Sequence, residues 1–290
     1  MTIPTAPDPS PPRAATKPRA TIPPAHDGLR TALVTGACSG IGLAIARLLA
    51  AHGYTLVLVS NREAELLRVA AELREAHAIP VHAIAQDLAT PDAADTLVAA
   101  LDARGLEVDI LVNNAGFFFF GQAADADPER ARAMLQLHVT TPSLLCTLLG
   151  ARMRARRRGH ILIVSSISAV RPFPGISYYG SSKTYLRSFA RALRSELAVY
   201  GVNVTCLAPG ATATALYDPS VVPVDKAKKF GVMMDPEAVA AAGLTAMFRG
   251  RAECIPGALT RVMVAAAAIA PQPVIDWLRR RAPWLRDPPP

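Results

Sequence analysis

A tyrosine and a lysine four positions apart are the residues of this 290-residue sequence whose types and spacing most directly suggest chemistry. Tyr179 and Lys183 begin a stretch with helical periodicity, so both side chains fall on one helix face. A free tyrosine has a pKa near ~10, and a neighbouring ammonium group lowers it by favouring the phenolate. Such a phenol can donate a proton to a carbonyl oxygen, or accept one from an alcohol, near neutral pH. The pair alone is also typical of helix surfaces, so its interpretation depends on the elements around it.

A glycine-rich turn near the N-terminus is typical of a nucleotide-binding site. Residues 35–42 read TGACSGIG, follow a short apolar run and precede a helical pattern. Glycines permit a tight turn and a close approach of the backbone to a pyrophosphate, and the helix N-terminus offers free N–H groups. Within a strand–helix–strand pattern, this turn predicts dinucleotide binding rather than an ordinary connection. The predicted cofactor contacts are Gly36, Ser39, Gly40, Ile41 and Gly42.

The residues after the second predicted strand favour NADP(H) over NAD(H). A carboxylate at this point would bind the ribose 2′-hydroxyl of NAD and repel a 2′-phosphate. The segment reads Ser60, Asn61 and Arg62, with no acidic residue before Glu63. Arg62 can pair with a phosphate, and Ser60 and Asn61 can donate hydrogen bonds to one. The alternative is that Arg62 merely faces solvent at the start of a helix.

Apolar runs and helical patterns alternate along the chain. Strands are predicted at 31–35, 55–60, 81–85, 110–113, 161–165 and 202–207, and helices at 41–51, 63–77, 92–103, 128–157 and 179–200. The strands are continuous apolar runs, as strands buried on both faces require. Together they predict an α/β fold, a single doubly wound Rossmann-type domain with a parallel sheet of about seven strands.

The spacing Gly-x-x-x-Gly-x-Gly of the turn resembles that of the short-chain dehydrogenase/reductase family. The resemblance covers roughly residues 29–256 and is nearest to the family's ketoacyl-reductase-like bacterial members. It implies that Asp87 and Leu88 lie near the adenine ring and that Asn114, Ala115 and Gly116 line the cofactor. It also implies that a later loop closes over the nicotinamide, with contacts from Pro209, Gly210, Thr212 and Thr214.

The same resemblance assigns catalytic roles. Tyr179 and Lys183 match the catalytic tyrosine and lysine, which also contact the cofactor, and Ser166 matches a serine that stabilises the developing oxyanion. Ser165 and Ser168 are the alternative serines. The family's fourth position, an asparagine that keeps a water in a proton relay, is His138 in this chain. Histidine could act in the relay through a ring nitrogen or only fill the site, and both interpretations stay open here.

The substrate side is predicted to be apolar. Residues 117–120 are four consecutive phenylalanines, and aromatic walls suit a lipophilic ketone, a steroid or a fatty ketoacyl group. An equal alternative is that two of the four belong to the core and two to an interface. Loops 171–177 and 215–232 are expected to complete this side.

Composition sets limits on other functions. The net charge is +8, but the basic runs at 152–158 and 279–286 lack any zinc-finger or basic-heptad spacing, so we expect solvated helix surfaces and no nucleic-acid partner. The four cysteines have no paired spacing, so no metal site is predicted. No apolar leader is visible, and the longest apolar run is shorter than the ~20 residues of a membrane span, so a cytoplasmic location is expected.

The chain divides into three predicted parts: a disordered proline-rich arm (1–28), the dinucleotide-binding and catalytic domain (29–257) and an amphipathic helical extension (258–290). The segment 274–285 combines two tryptophans with arginines, a pattern typical of peripheral membrane contact or of a cover for a partner subunit or the substrate mouth. The sequence thus predicts an NADP(H)-dependent oxidoreductase acting on a small carbonyl or alcohol substrate. The resemblance further implies a homo-oligomer. The alternative is a non-catalytic nucleotide-binding regulator of the same fold.

Overall fold

The computed structural model describes residues 21–26, 30–214 and 233–281, and these contain one seven-stranded sheet with helices on both faces. The strands are β1 (Thr31–Thr35), β2 (Thr55–Ser60), β3 (Val81–Ala85), β4 (Ile110–Asn113), β5 (Gly159–Val164), β6 (Val202–Leu207) and β7 (Glu253–Cys254). The α-helices are α1 (Gly40–Ala50), α2 (Glu63–His77), α3 (Ala93–Asp102), α4 (Pro128–Leu135), α5 (Thr141–Arg156), α6 (Ser177–Ala198), α7 (Pro236–Phe248), α8 (Ala258–Ile269) and α9 (Gln272–Arg281).

The sheet has the order β3-β2-β1-β4-β5-β6-β7, and every neighbouring pair is parallel. This confirms the predicted doubly wound Rossmann-type architecture. The chain runs outward from β1 in one direction, then returns to β4 on its other side. The crevice of such a fold opens at this reversal, beyond the carboxyl ends of the strands.

Two apolar clusters cover the two faces of the sheet. On one face α1, α2 and α7 pack through residues such as Leu49, Leu66 and Leu244, and on the other α3, α5 and α6 pack through residues such as Leu97 and Leu149. β1 and β4 are buried along their whole length. This explains the continuous apolar runs, because a strand covered on both faces has no polar side to present.

The helix predicted over 128–157 differs from the observed structure. A π-helical turn, Gln136–Thr140, separates α4 from α5. A π-turn inserts one extra residue per turn and so changes which side chains face inward. Here it buries the polar side chain of His138, which apolar periodicity alone could not predict.

The prediction that the disordered arm extends to residue 28 is wrong for residues 21–26. Ile22 is buried in the cluster under α1 and α7. The Tyr54 hydroxyl donates to Pro23 O at 3.1 Å, and Ala25 N donates to His52 O at 2.9 Å. One buried isoleucine and these hydrogen bonds hold a segment that its composition marks as unstructured. Residues 1–20 and 27–29 lie outside the described part.

One helical stretch of the described residues, Pro128–Arg156, is long and apolar enough to cross a membrane by length and composition. This is weak evidence for a membrane span, because core helices of soluble proteins meet the same criteria. In this stretch, 44% of the most apolar segment is buried inside the fold.

Candidate active site

The candidate site is a cleft of about 420 Å³ beyond the carboxyl ends of strands β1 to β6. All predicted site residues except Gly42 line it: Gly36, Ser39, Gly40, Ile41, Ser60, Asn61, Arg62, Asp87, Leu88, Asn114, Ala115, Gly116, His138, Ser166, Tyr179, Lys183, Pro209, Gly210, Thr212 and Thr214. Parallel strands end at one edge of a sheet, so residues far apart in sequence meet there.

The glycine turn has the shape that a bound nucleotide needs. Gly36 and Gly40 adopt positive φ angles of 65° and 55°, which side chains with a Cβ rarely tolerate. A Cβ at Gly36 would lie 2.9 Å from Ala115 Cα and fill the space between the turn and the end of β4. Ser39 precedes α1 without a capping side-chain hydrogen bond, so it does not cover the N–H groups of the first turn. This end of α1 can therefore accept a phosphate.

Gly42 lies behind the glycine turn and does not line the cleft. A Cβ there would collide with the carbonyl oxygen of Gly36 and the side-chain amide of Asn114. The glycine is thus needed for the close packing of α1 on the turn. The sequence predicts direct cofactor contact for all the glycines of the motif. The spacing of the motif does not distinguish a glycine that contacts the cofactor from one that allows helix packing.

The residues after β2 place a positive charge beside the turn. Arg62 Nη2 donates to Ser39 Oγ at 2.8 Å, and Arg62 N donates to Ser60 Oγ at 3.2 Å. Arg62 Nη1 also lies 2.7 Å from Glu65 Oε2 in a half-exposed ion pair. Such pairs contribute at most about 1 kcal/mol, so a phosphate can displace the carboxylate at little cost.

The floor of the cleft is held by a network around Thr35. Its hydroxyl accepts hydrogen bonds from Asn114 N at 2.9 Å and Ala115 N at 3.0 Å, while Asn114 Nδ2 donates to Thr35 O at 2.8 Å. Asp87 is engaged locally, its Oδ1 accepting from Ala89 N at 2.9 Å. Thr35 thus joins the end of β1 to the end of β4. The sequence motif includes this threonine but does not predict that role.

Tyr179 and Lys183 share one face of α6, as their spacing predicts. Lys183 is 4% exposed, and its Nζ donates to Val164 O at 3.1 Å and lies 5.6 Å from the centre of the Tyr179 ring. Burial lowers the pKa of Lys183 from 10.5 to about 8, because the ammonium loses its hydration. The lysine remains mostly charged at neutral pH and stands next to the phenol.

The three candidate serines have different surroundings. Ser165 Oγ donates to Lys183 O at 2.7 Å and joins β5 to α6. Ser166 directly follows Ser165 and lines the cleft, its hydroxyl oxygen accepting from Ser168 N at 3.1 Å. Ser168 Oγ is buried and is not among the lining atoms. Ser166 therefore has a hydroxyl at the cleft that is free to donate to a substrate oxygen.

His138 lies behind the tyrosine and is 1% exposed. Its Nε2 accepts from Phe117 N at 3.1 Å, so the ring proton lies on Nδ1, which is 3.0 Å from Ser182 Oγ. Ser182 Oγ in turn donates to Tyr179 O at 2.8 Å. Burial, reinforced by the positive charge of Lys183, holds the pKa of His138 well below its usual 6.5. The histidine is neutral.

The loop after β6 reaches across the cleft to the glycine turn. A Cβ at Gly40 would lie 2.8 Å from Thr214 Cγ2, so the two loops are in contact. Thr212 is buried and its hydroxyl donates to Gly210 O at 3.0 Å. The predicted substrate loop 215–232 lies outside the described residues.

The phenylalanine run forms an aromatic wall beside the tyrosine. The Phe118 ring meets Tyr179 edge-on at 5.0 Å between centroids. Phe119 packs on Tyr178, the Arg130 guanidinium lies over the Phe119 ring, and Phe120 lies against Gly175. Phe117 and Phe118 line the cleft, whereas the sequence left open whether the run forms a substrate wall or is divided between the core and an interface.

Other lining residues carried no signal in the sequence. They are Val59, Gln86, Leu137 and Val164, whereas Ser165, which also lines the cleft, was an alternative candidate serine. Most are strand or helix residues whose position at the cleft follows from topology rather than from type. Among the described residues, no group of three histidine, cysteine or acidic side chains could hold a metal ion.

Comparison with known proteins agrees with this geometry. The family model described as short chain dehydrogenase matches residues 30–221. The chain is 32% identical over 252 residues to an uncharacterized oxidoreductase of Myxococcus xanthus, covering 87% of this chain and 97% of that protein. It is 37% identical over 202 residues to dehydrogenase/reductase SDR family member 4 of Sus scrofa, covering 69% of this chain and 71% of that protein.

A solved structure has the same architecture. The short-chain dehydrogenase from Sphingobium yanoikuyae in complex with NADPH superposes with a TM-score of 0.73 at 27% identity. The match covers 88% of this chain and 96% of that one.

Proposed function

Because this chain belongs to the short-chain dehydrogenase/reductase family, whose members are oxidoreductases of alcohol and carbonyl groups, we propose that it interconverts an apolar ketone and a secondary alcohol with NADP(H). The observation that carries the proposal is the phenol of Tyr179 at the cleft beside the buried ammonium of Lys183. Tyr179 protonates the carbonyl oxygen during reduction and accepts the proton back during oxidation. The nicotinamide, when bound, supplies or accepts the hydride.

The neighbouring residues prepare this proton transfer. Lys183 places positive charge beside the ring and so favours the phenolate over the phenol. Ser166 can donate its hydroxyl hydrogen to the substrate oxygen and stabilise the negative charge that develops there. The open end of α1 fits the pyrophosphate, because no side chain caps its first N–H groups, and Gly36 keeps the turn packed closely on Ala115 at the end of β4.

The preference for NADP(H) is supported by the position of Arg62 beside Ser39 at the glycine turn. The test is Arg62→Gln, which keeps a polar side chain and removes the charge. We expect kcat/KM with NADPH to fall about 10- to 100-fold, as the loss of one charged phosphate contact implies. The value with NADH should change less than about threefold, because NADH has no phosphate at this position.

Arg68→Gln is the matched control, since Arg68 lies on the same helix and pairs with Glu72 in solvent. Equal losses with NADPH and NADH in Arg62→Gln would contradict the preference. Wild-type protein that binds NADPH, as measured by fluorescence quenching, but reduces no ketone of a broad panel would contradict the proposed reaction. That result would favour the alternative, a non-catalytic nucleotide-binding regulator.

The apolar character of the substrate is supported by Phe117 and Phe118 in the cleft wall. Lipophilic ketones should therefore have lower KM values than sugars or keto acids of similar size.

A homo-oligomer and a cytoplasmic location remain predictions. The four free cysteines agree with the predicted location.

We further propose that α8 and α9 make peripheral contact with an anionic lipid surface. α8 exposes Leu259, Val262, Met263 and Ile269, the last with 84% of its surface accessible. Between residues 255 and 281 the sequence has four arginines against one acidic residue. An exposed apolar helix face next to excess positive charge is typical of interfacial helices, and the same charge disfavours pairing with a second copy.

A further inference from the structure

His138 connects two parts of the site that are far apart in sequence. One ring nitrogen holds Phe117 N in the loop after β4, and the other holds Ser182 at the start of α6. Building on the proposed function, we propose that His138 is a positioning residue. It stays neutral through turnover and fixes the aromatic wall relative to the Tyr179 phenol.

The hydrogen bonds leave no place for a transferred proton. Nε2 faces the N–H of Phe117, so a proton on Nε2 would face another hydrogen and break that bond. On the other side, Nδ1–H leads to the Ser182 hydroxyl, which donates to the carbonyl oxygen of Tyr179. A backbone carbonyl is not a useful proton acceptor at neutral pH, so this chain ends there.

The groups around the ring also disfavour its protonation. Lys183 and Tyr179 face it from α6, and Gly116 and Phe117 face it from the loop after β4. Of these, Lys183 is the charged group and it is cationic. A second cation in the same buried space would lack a counter-ion.

The ring is packed as well as hydrogen-bonded. A Cβ at Gly116 would lie 2.7 Å from Nε2, so the loop is in direct contact with the ring. The imidazole meets Tyr179 at 5.8 Å and Phe117 at 5.9 Å between ring centroids. The next residue, Phe118, contacts Tyr179 edge-on. Loss of the histidine bridge therefore lets the wall move against the phenol, and substrate binding suffers more than the proton transfer does.

Three substitutions separate the two links of the bridge. His138→Gln can keep an acceptor for Phe117 N, His138→Asn can keep a donor for Ser182, and His138→Phe keeps only the ring. We expect kcat/KM for the ketone to fall about tenfold in the first two variants and about 100-fold in the third, since each buried polar group left unpaired costs about 1–3 kcal/mol. The loss should lie mainly in KM, and the pH profile of kcat should keep its shape. His77→Gln on α2 is the matched control and should behave as wild type.

A second readout needs no turnover. ¹⁵N NMR of histidine-labelled protein, with the His138 signals assigned by their loss in His138→Gln, should show a neutral ring with the proton on Nδ1 from about pH 5.5 to 8.5, with and without NADPH. The proposal is overturned if His138 titrates near neutral pH, or if the variants keep KM while a limb of the kcat pH profile moves, as a relay requires. If wild-type protein reduces no ketone, the proposed function fails, and the NMR result still decides whether the ring is locked.

Discussion

Lys183 occupies a position in which its charge is unfavourable for folding. Its ammonium is buried with one backbone acceptor, Val164 O, and its pKa falls to about 8. Below about pH 8 the folded and unfolded chains both carry the charge, and the folded chain bears the full cost of burying it. Between about pH 8 and 10.5 the folded chain loses the proton first, so stability rises with pH in this window.

Replacement of this lysine by methionine should therefore stabilise the protein and abolish its activity. We expect Lys183→Met to raise the free energy of unfolding at pH 7 by on the order of 2 kcal/mol, because the buried charge is removed and the volume kept. Urea unfolding at pH 7 and at pH 9.5 measures the difference, which should shrink at the higher pH. A variant less stable than wild type at pH 7, or a difference independent of pH, would show that burial of the ammonium is not the dominant cost.

Single residues also show where sequence reasoning stops. Tyr179, Lys183 and Ser166 could be chosen from their types and spacing, and the structure brings all three to one cleft. The hydrogen-bond partners of His138 could not be predicted from the sequence. Phe117 and Ser182 lie 21 and 44 positions away, and neither residue type indicates a hydrogen bond to a histidine. Tertiary packing decides such contacts.

Among the elements, most boundaries followed from patterns that have a direct physical cause. β1, β2, β3, β4 and β6 and α2 have the predicted limits, because apolar runs end where the sheet ends. The π-turn at Gln136–Thr140 was missed, since the sequence around it continues the helical pattern. The burial of Ile22 was missed because one apolar residue among prolines gives no periodicity.

The helices α8 and α9 allow a test of the proposed lipid contact. We expect Val262→Glu combined with Met263→Glu to weaken binding to vesicles containing anionic lipid at least about tenfold, because it adds two negative charges to the exposed apolar face. Co-sedimentation at low salt measures binding. The two tryptophans of the chain, Trp277 and Trp284, should report it as a blue shift in fluorescence.

Leu67→Glu is the matched control, because Leu67 is 54% exposed on α2, outside the two C-terminal helices. It should bind vesicles as wild type does, and both variants should bind NADPH normally. Equal vesicle binding by all three proteins, or none by wild type at low salt, would rule out this contact surface.

At the scale of the whole molecule, the order of the strands determines where the cleft lies. The reversal between β1 and β4 brings the glycine turn, the end of β4 and the first turn of α6 to one crevice. The sequence could predict this arrangement because each motif lies at the carboxyl end of a strand or the start of a helix. The shape of the substrate side depends on how loops pack, as between Phe120 and Gly175, and such packing has no local signature.

The central claim is that the Tyr179 phenol transfers the proton, and Tyr179→Phe tests it most directly. We expect this variant to bind NADPH within about threefold of wild type and to reduce a ketone about 10³-fold more slowly, since general acid catalysis is lost while the cofactor site stays intact. Tyr178→Phe is the matched control, because its ring packs on Phe119 and does not line the cleft. Ketone reduction by Tyr179→Phe at a rate close to that of wild type would contradict the account.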